Sequence, residues 1–276
     1  SRLGQPHWSN NLKRCIYPLP FIIGFANMSM IQVVTIHDFR MSLFHMSFRK
    51  ESGAENMATD MWLLAQADSW GGPAFRRYGW TKPQITFGYG QKASWVEKET
   101  GEQITALTRR PTGGGIVRHG TDLTYCLILP RGSVGEQMSP MEFYGLLHQC
   151  WGEALDEQNI PNRLMACPQK STGGIPGDCF REPVGRDLMD KAGEKKLGGA
   201  AMKRTRQGVL IQGSLELGDL PVPDHQKMER KFLQRMATSL GEQITPKEWP
   251  AELAFQRMDF VNSYSSPSWT RDRKSS

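Results

Sequence analysis

The stretch Arg109-Arg110-Pro111-Thr112-Gly113-Gly114-Gly115-Ile116-Val117-Arg118-His119 decides how this chain is read. Three consecutive glycines beside paired arginines suit a backbone that a ligand must approach closely, because glycine has no Cβ in the way. Leu123-Thr124-Tyr125-Cys126-Leu127-Ile128-Leu129 follows, β-branched, aromatic and aliphatic up to Pro130, and reads as a buried strand. A glycine turn feeding a buried strand makes a pocket floor. The same residues also suit a Gly-rich hairpin with two solvated arginines, and turn chemistry alone does not separate the two readings.

Outward from this stretch, Ser52-Gly53-Ala54-Glu55 is a capping box. Ala54, Met57, Ala58, Met61, Leu64 and Ala65 then recur at helical spacing until Gly71-Gly72-Pro73. Phe75 to Tyr78 and Ile85 to Gly88 read as short strands parted by a turn at Thr81-Lys82-Pro83. Ser139-Pro140-Met141-Glu142 opens a second helix carrying Phe143, Leu147 and Leu155. After Asn162 the chain turns irregular through Cys167-Pro168, Ser171-Thr172-Gly173-Gly174 and Pro176-Gly177, an extended loop of a length that is often functional. Val209 to Ile211 and Ser214 to Leu217 suggest two strands, and Pro223 to Leu240, closed by Gly241, an amphipathic helix. Thr245-Pro246-Lys247-Glu248 repeats the capping logic before a short terminal helix, and Trp269 to Ser276 reads as a polar tail. The organisation expected is a poorly patterned leader over 1–45, not all of it native, then one α/β domain over 46–276 with a short helical C-terminal extension.

Composition bounds the function. At 276 residues, 38% hydrophobic and 22% charged, the chain reads as soluble and globular. Lys and Arg exceed Asp and Glu by 34 to 28, which favours acidic partners. No basic run of five or six residues marks a nucleic-acid groove, so no nucleic acid is expected. Five cysteines without a C-x-x-C pair indicate neither a disulfide framework nor a zinc site, so no metal is expected and a reducing compartment is the simplest setting. Lys13-Arg14 ahead of the uncharged stretch from Cys15 to Ile36 imitates a signal peptide. Two prolines and the polar Asn27, Ser29 and Gln32 argue against a membrane span there.

Two further features carry chemistry. Cys179-Phe180-Arg181-Glu182-Pro183 places a thiol in the irregular loop, where a neighbouring positive group would favour the thiolate. In Gly193-Glu194-Lys195-Lys196-Leu197-Gly198-Gly199-Ala200-Ala201, lysines precede small residues, where an ammonium reaches a ligand lying on bare backbone. Taken singly, each is equally an ordinary loop cysteine and a solvated lysine turn.

Together, the glycine run with its arginines, Cys179 and the lysine before Leu197-Gly198-Gly199 resemble the lipoate ligase and octanoyltransferase family of acyltransferases. Arg109 to Tyr125 is similar to the family's R-R-x-T-G-G-x-x-V-x-H signature and following L-T-Y. Glu55 to Asp60 resembles its first helix, Arg76 to Gln91 its next strand pair, and Tyr264 to Arg271 its terminal motif. The resemblance implies a mixed, largely antiparallel central sheet flanked by helices, of biotin/lipoate ligase type. The C-F-x-x-P pattern at Cys179 to Pro183 resembles the branch that moves an octanoyl group through a cysteine thioester. It implies Cys179 and Lys196 as catalytic residues, with Arg109, Arg110, Gly113, Gly114, Gly115 and His119 binding substrate. It also implies octanoyl acyl carrier protein as donor, and a lipoyl domain of a dehydrogenase complex or the glycine-cleavage carrier protein as acceptor. The expected setting is cytoplasmic, with no membrane partner and no bound cofactor.

Two departures stand out: Ile211-Gln212-Gly213-Ser214 lacks the histidine of the family's Gln-His-Gly-Ser pattern, and Arg118 to Asp122 lacks its usual H-D pair. The nearest alternative is an ATP-dependent lipoate ligase, needing ATP and Mg, in which the same arginines and glycines would hold an acyl-adenylate. A catalytically silent binder of the same fold is the other. A biotin ligase fits less well, since no Gly-Arg-rich activation loop is present.

Overall fold

The computed structural model of the protein describes residues 42–166, 177, 184–218 and 224–274. Most of the leader, and Cys179 with its C-F-x-x-P motif, lie outside them. The described residues fall in one contact unit.

The chain order is β1 (Ser42–Glu51), α1 (Gly53–Trp70), β2 (Ala74–Trp80), β3 (Gln84–Phe87), α2 (Ala93–Thr100), β4 (Leu107–Arg109), β5 (Val117–His119) and β6 (Leu123–Pro130). It continues with α3 (Val134–Gln137), α4 (Pro140–Asp156), β7 (Asn162–Leu164), β8 (Leu188–Asp190), β9 (Lys196–Arg204) and β10 (Gly208–Leu215). Last come α5 (His225–Leu240), β11 (Gln243–Lys247), α6 (Leu253–Gln256), α7 (Met258–Ser265) and α8 (Pro267–Asp272). Among the described residues an eight-stranded sheet runs β11-β1-β2-β6-β10-β9-β8-β7, and a three-stranded sheet runs β4-β3-β5. In the large sheet β1 is parallel to both its neighbours, and the other pairings are antiparallel. This is the mixed, largely antiparallel sheet that the sequence led us to expect.

Helices cover both faces of that sheet, which is why β6 is buried throughout instead of alternating. Leu123, Tyr125, Leu127 and Leu129 point to one side, packing with Phe75, with Phe143, Leu147 and Trp151 of α4, and with Phe232 of α5. Cys126 and Ile128 point to the other, against Trp62, Leu63 and Leu64 of α1. At ~2 kcal/mol for each fully buried large side chain, these two layers dominate the favourable side of folding. Local signals set the helix ends. The Ser52 hydroxyl accepts from the Glu55 N–H at 3.3 Å while Glu55 accepts from the Ser52 N–H at 2.9 Å. Gly71 closes α1 at φ +69°, a conformation open to glycine. Ser139 with Glu142 repeats the box on α4, and Asp224 caps α5.

Several expectations need correction. The leader boundary at 45 falls too late, because Ser42 to His45 already pair in β1 with β11. The glycine run does not feed β6 directly; it joins β4 to β5 of the small sheet, and β6 follows. The strands expected at Val209 and Ser214 are one strand, since Gln212 and Gly213 pair continuously with Cys126 and Tyr125. The irregular region after Asn162 opens with β7. Thr245-Pro246-Lys247-Glu248 caps nothing: Thr245 Oγ1 meets Ser42 Oγ at 3.0 Å in β11, and Pro246 sits on the outermost strand, where a missing N–H costs little. Trp269 is not in a tail. It is buried in α8, and its indole Nε1 donates to the Arg109 carbonyl at 3.0 Å.

Candidate active site

Where the small sheet faces the large one, a pocket is walled by Met57 of α1, Tyr78 and Trp80 of β2, and Val117 and His119 of β5. Gly199, Ala200 and Ala201 of β9 and Gln212 to Ser214 of β10 complete it, with Arg110 and Lys196 at its polar positions. The small residues of β9 that the sequence singled out therefore form a wall.

Lys196 starts β9 and is buried, whereas Lys195 beside it is exposed. The Lys196 ammonium lies 2.7 Å from Asp187 Oδ2, both side chains almost fully sealed from solvent. Gly199 makes room for it: a Cβ there would stand 2.6 Å from Lys196 Cε and 2.7 Å from Nζ. Asp187 is held in turn by the Val184 N–H at 2.7 Å.

The opposite wall is a polarised chain. Arg110 donates to Thr86 Oγ1 at 2.7 Å, and that hydroxyl meets His119 Nε2 at 2.8 Å. His119 Nδ1 lies 2.7 Å from Asp122 Oδ2, which also accepts from Thr124 at 2.8 Å and from Ser214. Trp80 stacks on the imidazole with centroids 4.2 Å apart. Burial alone would raise the Asp122 pKa, but charge and hydrogen bonds from His119, with bonds from Ser214 and Thr124, outweigh it and hold the carboxyl at about 2. Both ring nitrogens of His119 are thus engaged, so it is a fixed wall. Asp122, three residues on, is the carboxylate paired with His119.

The paired arginines separate. Arg110 lines the pocket and also clamps the glycine turn, donating to the Gly113 carbonyl at 3.0 Å and the Gly115 carbonyl at 2.7 Å. Arg109 is not among the pocket's lining residues. Its guanidinium serves the carbonyls of Tyr89 and Gln91, each at 2.7 Å, of Thr270 at 2.9 Å and of Arg271 at 3.2 Å, tying α8 to the loop after β3. Burial and the nearby Arg273 charge lower its pKa to about 10. Gly113, Gly114 and Gly115 are not among the pocket's lining residues. Gly114 has φ +85°, and Gly88 packs so closely that a Cβ on it would lie 1.9 Å from the Gly114 carbonyl oxygen. Gly177, two positions before Cys179 in sequence, is fastened to this turn: its carbonyl accepts from the Ile116 N–H and from Gln91 Nε2, each at 3.0 Å.

Asp187, Asp122, Gln212 and Thr112 were given no role by the sequence reading, although the last three lie in stretches it quoted. Thr112 Oγ1 donates to Gln212 Oε1 at 2.7 Å, and Gln212 Nε2 donates to Asp60 at 2.6 Å, linking the glycine turn to the buried Asp60–Arg76 pair. A polar residue in the otherwise apolar β10 was the available signal for Gln212; Asp187 had none. Among the described residues no three His, Cys, Asp or Glu side chains cluster as a metal site would need, and no helix is long and apolar enough to cross a membrane.

A family model described as the lipoyl protein ligase A/B catalytic domain matches residues 52–245, and the chain belongs to that family. It is 35% identical over 164 residues to octanoyltransferase LipM of Carboxydothermus hydrogenoformans, covering 58% of each chain. The chain spans about three fifths of the length of such curated relatives, 58% and 63% for two of them. Among solved structures it is similar to the bipartite lipoate protein ligase of Thermoplasma acidophilum (TM-score 0.58, 17% identity, 84% of this chain and 96% of that one). It is likewise similar to a lipoate-protein ligase A bound with ATP (TM-score 0.61, 16% identity, 83% and 98%). At these identities the likeness shows the fold.

Proposed function

We propose that the chain transfers an octanoyl group from acyl carrier protein, through a thioester on Cys179, to a lysine of a lipoyl domain, in the cytoplasm and with no metal or bound organic cofactor. The observation that carries this reading is the buried Lys196 ammonium at the wall of a largely apolar pocket. The similarity to an octanoyltransferase supports it.

In the first half, the Cys179 thiol gives up its proton and the sulfur attacks the donor's acyl carbon. The electron pair moves onto the carbonyl oxygen, where the Lys196 ammonium stabilises it. The oxyanion collapses, the bond to the carrier sulfur breaks, and that sulfur takes up the proton. In the second half, the acceptor's neutral amine attacks the same carbon, the carbon–sulfur bond to Cys179 breaks, and the amine's proton passes to the sulfur, leaving an amide. Two steps with sulfur partners replace one hard transfer. The attachment of Gly177 at the glycine turn supports placing the reaction there. The acyl tail would lie against Met57, Tyr78, Trp80 and Val117. At ~0.8 kcal/mol per methylene it gains roughly 5 kcal/mol, enough to select against short acyl groups.

Arg109 and Arg110 are occupied with backbone carbonyls and, for Arg110, with Thr86, so docking of acidic carriers falls to other cations. Lys92, Arg271, Arg273 and Lys274 line a second cleft beside Arg109. The ATP-dependent ligase remains the second reading, favoured by the match to a family model described as a lipoyl protein ligase domain. Replacing Cys179 with Ala, and separately Lys196 with Ala, tests the choice: each should abolish transfer from octanoyl carrier protein to a lipoyl domain in a folded protein. Full activity of the Cys179→Ala protein would reject the thioester route.

A further inference from the structure

The Lys196–Asp187 pair is built from behind by a residue of another element. Asp187 closes a turn in which its N–H donates to the Val184 carbonyl at 3.1 Å, its carboxylate accepts from the Val184 N–H, and its carbonyl accepts from the Met165 N–H at 2.7 Å. Between them Arg186 takes φ +74°, a left-handed conformation that residues other than glycine adopt only when their surroundings enforce it. Two bonds enforce it here: the Arg186 N–H donates to the Met165 carbonyl at 3.0 Å, and the Arg186 carbonyl accepts from His148 Nδ1 at 2.6 Å.

His148 sits on α4, 1% exposed. With Nδ1–H given to a carbonyl, Nε2 carries the lone pair, and that nitrogen is buried with no hydrogen-bond partner among the described residues. The charged and titratable groups around it are Asp187 and Lys196, the Tyr144 ring stacked one turn back on α4, and the Arg186 side chain, which runs along α4 at Gly145. Tyr125 of β6, whose hydroxyl also feels the Asp187 and Tyr144 charges, lies across the same core. Burial pushes the imidazole pKa down, as does Lys196, and this outweighs the upward pull of Asp187 and of the Arg186 carbonyl. The ring is therefore neutral at physiological pH. Protonating it would set a second cation against the ammonium and offer Asp187 a rival partner.

We propose that His148 and Asp187 are positioning residues for Lys196: His148 locks the 184–187 turn, and the turn presents a carboxylate that pairs with the ammonium and fixes it at the pocket wall. The use to which the ammonium is put rests on the function proposed above; the locking does not. The consequence for a transferase is loss of activity as pH falls through the lowered imidazole range, without loss of the fold.

The test uses the full chain with ¹³C-labelled lysine, the Lys196 signal being assigned by Lys196→Arg. Proton binding by Lys196 is titrated in the parent, Asp187→Asn, His148→Leu and His148→Asn proteins, alongside the pH profile of octanoyl loading from carrier protein. Removing the opposite charge should weaken proton binding roughly tenfold or more in Asp187→Asn, with a smaller fall in the same direction in His148→Leu. His148→Asn keeps a donor for the Arg186 carbonyl and should titrate like the parent while losing the acid limb of the loading profile. Unchanged Lys196 titration in Asp187→Asn, or an unaltered acid limb in His148→Asn, overturns the proposal even if His148→Leu does not fold. If Lys196 responds as described but the parent never loads octanoate without ATP, the transferase reading fails and the positioning stands.

Discussion

At Gly199 an ammonium lies where a methyl group would be, so an alanine there need only push aside the end of a flexible side chain. Gly199→Ala should leave unfolding within about 1 kcal/mol of the parent while lowering acyl transfer on the order of 10²-fold, because a small displacement of Lys196 spoils alignment at the acyl carbon. Urea unfolding beside a transfer assay checks the split; equal losses in both would make Gly199 a packing residue. Gly88 behaves oppositely. Its neighbour is the rigid Gly114 backbone, so Gly88→Ala should destabilise by about 3 kcal/mol. Asp122 adds a pH dependence. Its carboxyl is lowered to about 2, so the stabilisation it provides is present in full above the ordinary carboxylate range near 4 and is lost as pH falls through 2. The stability gap between the parent and Asp122→Asn, about 2 kcal/mol at pH 6, should shrink to less than about 0.5 kcal/mol at pH 2 in urea titrations. At this scale the sequence spoke unevenly. Lys196 stood out through the small residues after it, but Asp187 has no local pattern, since its importance comes from a partner on another strand. Arg109 and Arg110 looked equivalent because adjacency along the chain hides that they turn to different sides of β4.

Elements were most legible where the signal is local. The two Ser/Glu boxes and the glycines at 71 and 241 mark helix ends through bonds made within a few residues, and α1, α4 and α5 lie where those marks put them. The same logic failed at Thr245, where the hydroxyl meets Ser42 across a strand pair that closes about two hundred residues of chain. It failed again at Trp269, whose burial depends on Arg109. Strand β2 is tied to α1 by Arg76, fully buried, whose Nε lies 2.7 Å from Asp60 Oδ1. Arg76→Met should cost about 3–5 kcal/mol by stranding Asp60 without its counter-charge, and adding Asp60→Leu should restore part of that. Chemical unfolding of the single and double variants measures it; a single variant as stable as the parent would mean that Asp60 is neutral in the fold.

For the whole molecule, the small sheet and the large one bring together residues 100 and 92 positions apart, Thr112 with Gln212 and Asp122 with Ser214, and the pocket lies at that seam. Family, sheet type and the lysine could be read from motifs; the pocket wall could not, since it is assembled by β9 and β10 folding back on the glycine turn. The surface cations predict electrostatic docking: KM for an acidic carrier should rise several-fold between low and physiological salt, and Arg271→Glu with Arg273→Glu should raise it further while kcat holds. A salt-independent KM would remove docking from these residues. The most direct measurement is intact mass after mixing the chain with octanoyl carrier protein and no ATP. The expected result is one octanoyl adduct, released by hydroxylamine and absent from Cys179→Ala. An unmodified chain, with acceptor lipoyl domains acylated only when ATP and free octanoate are supplied, would contradict it.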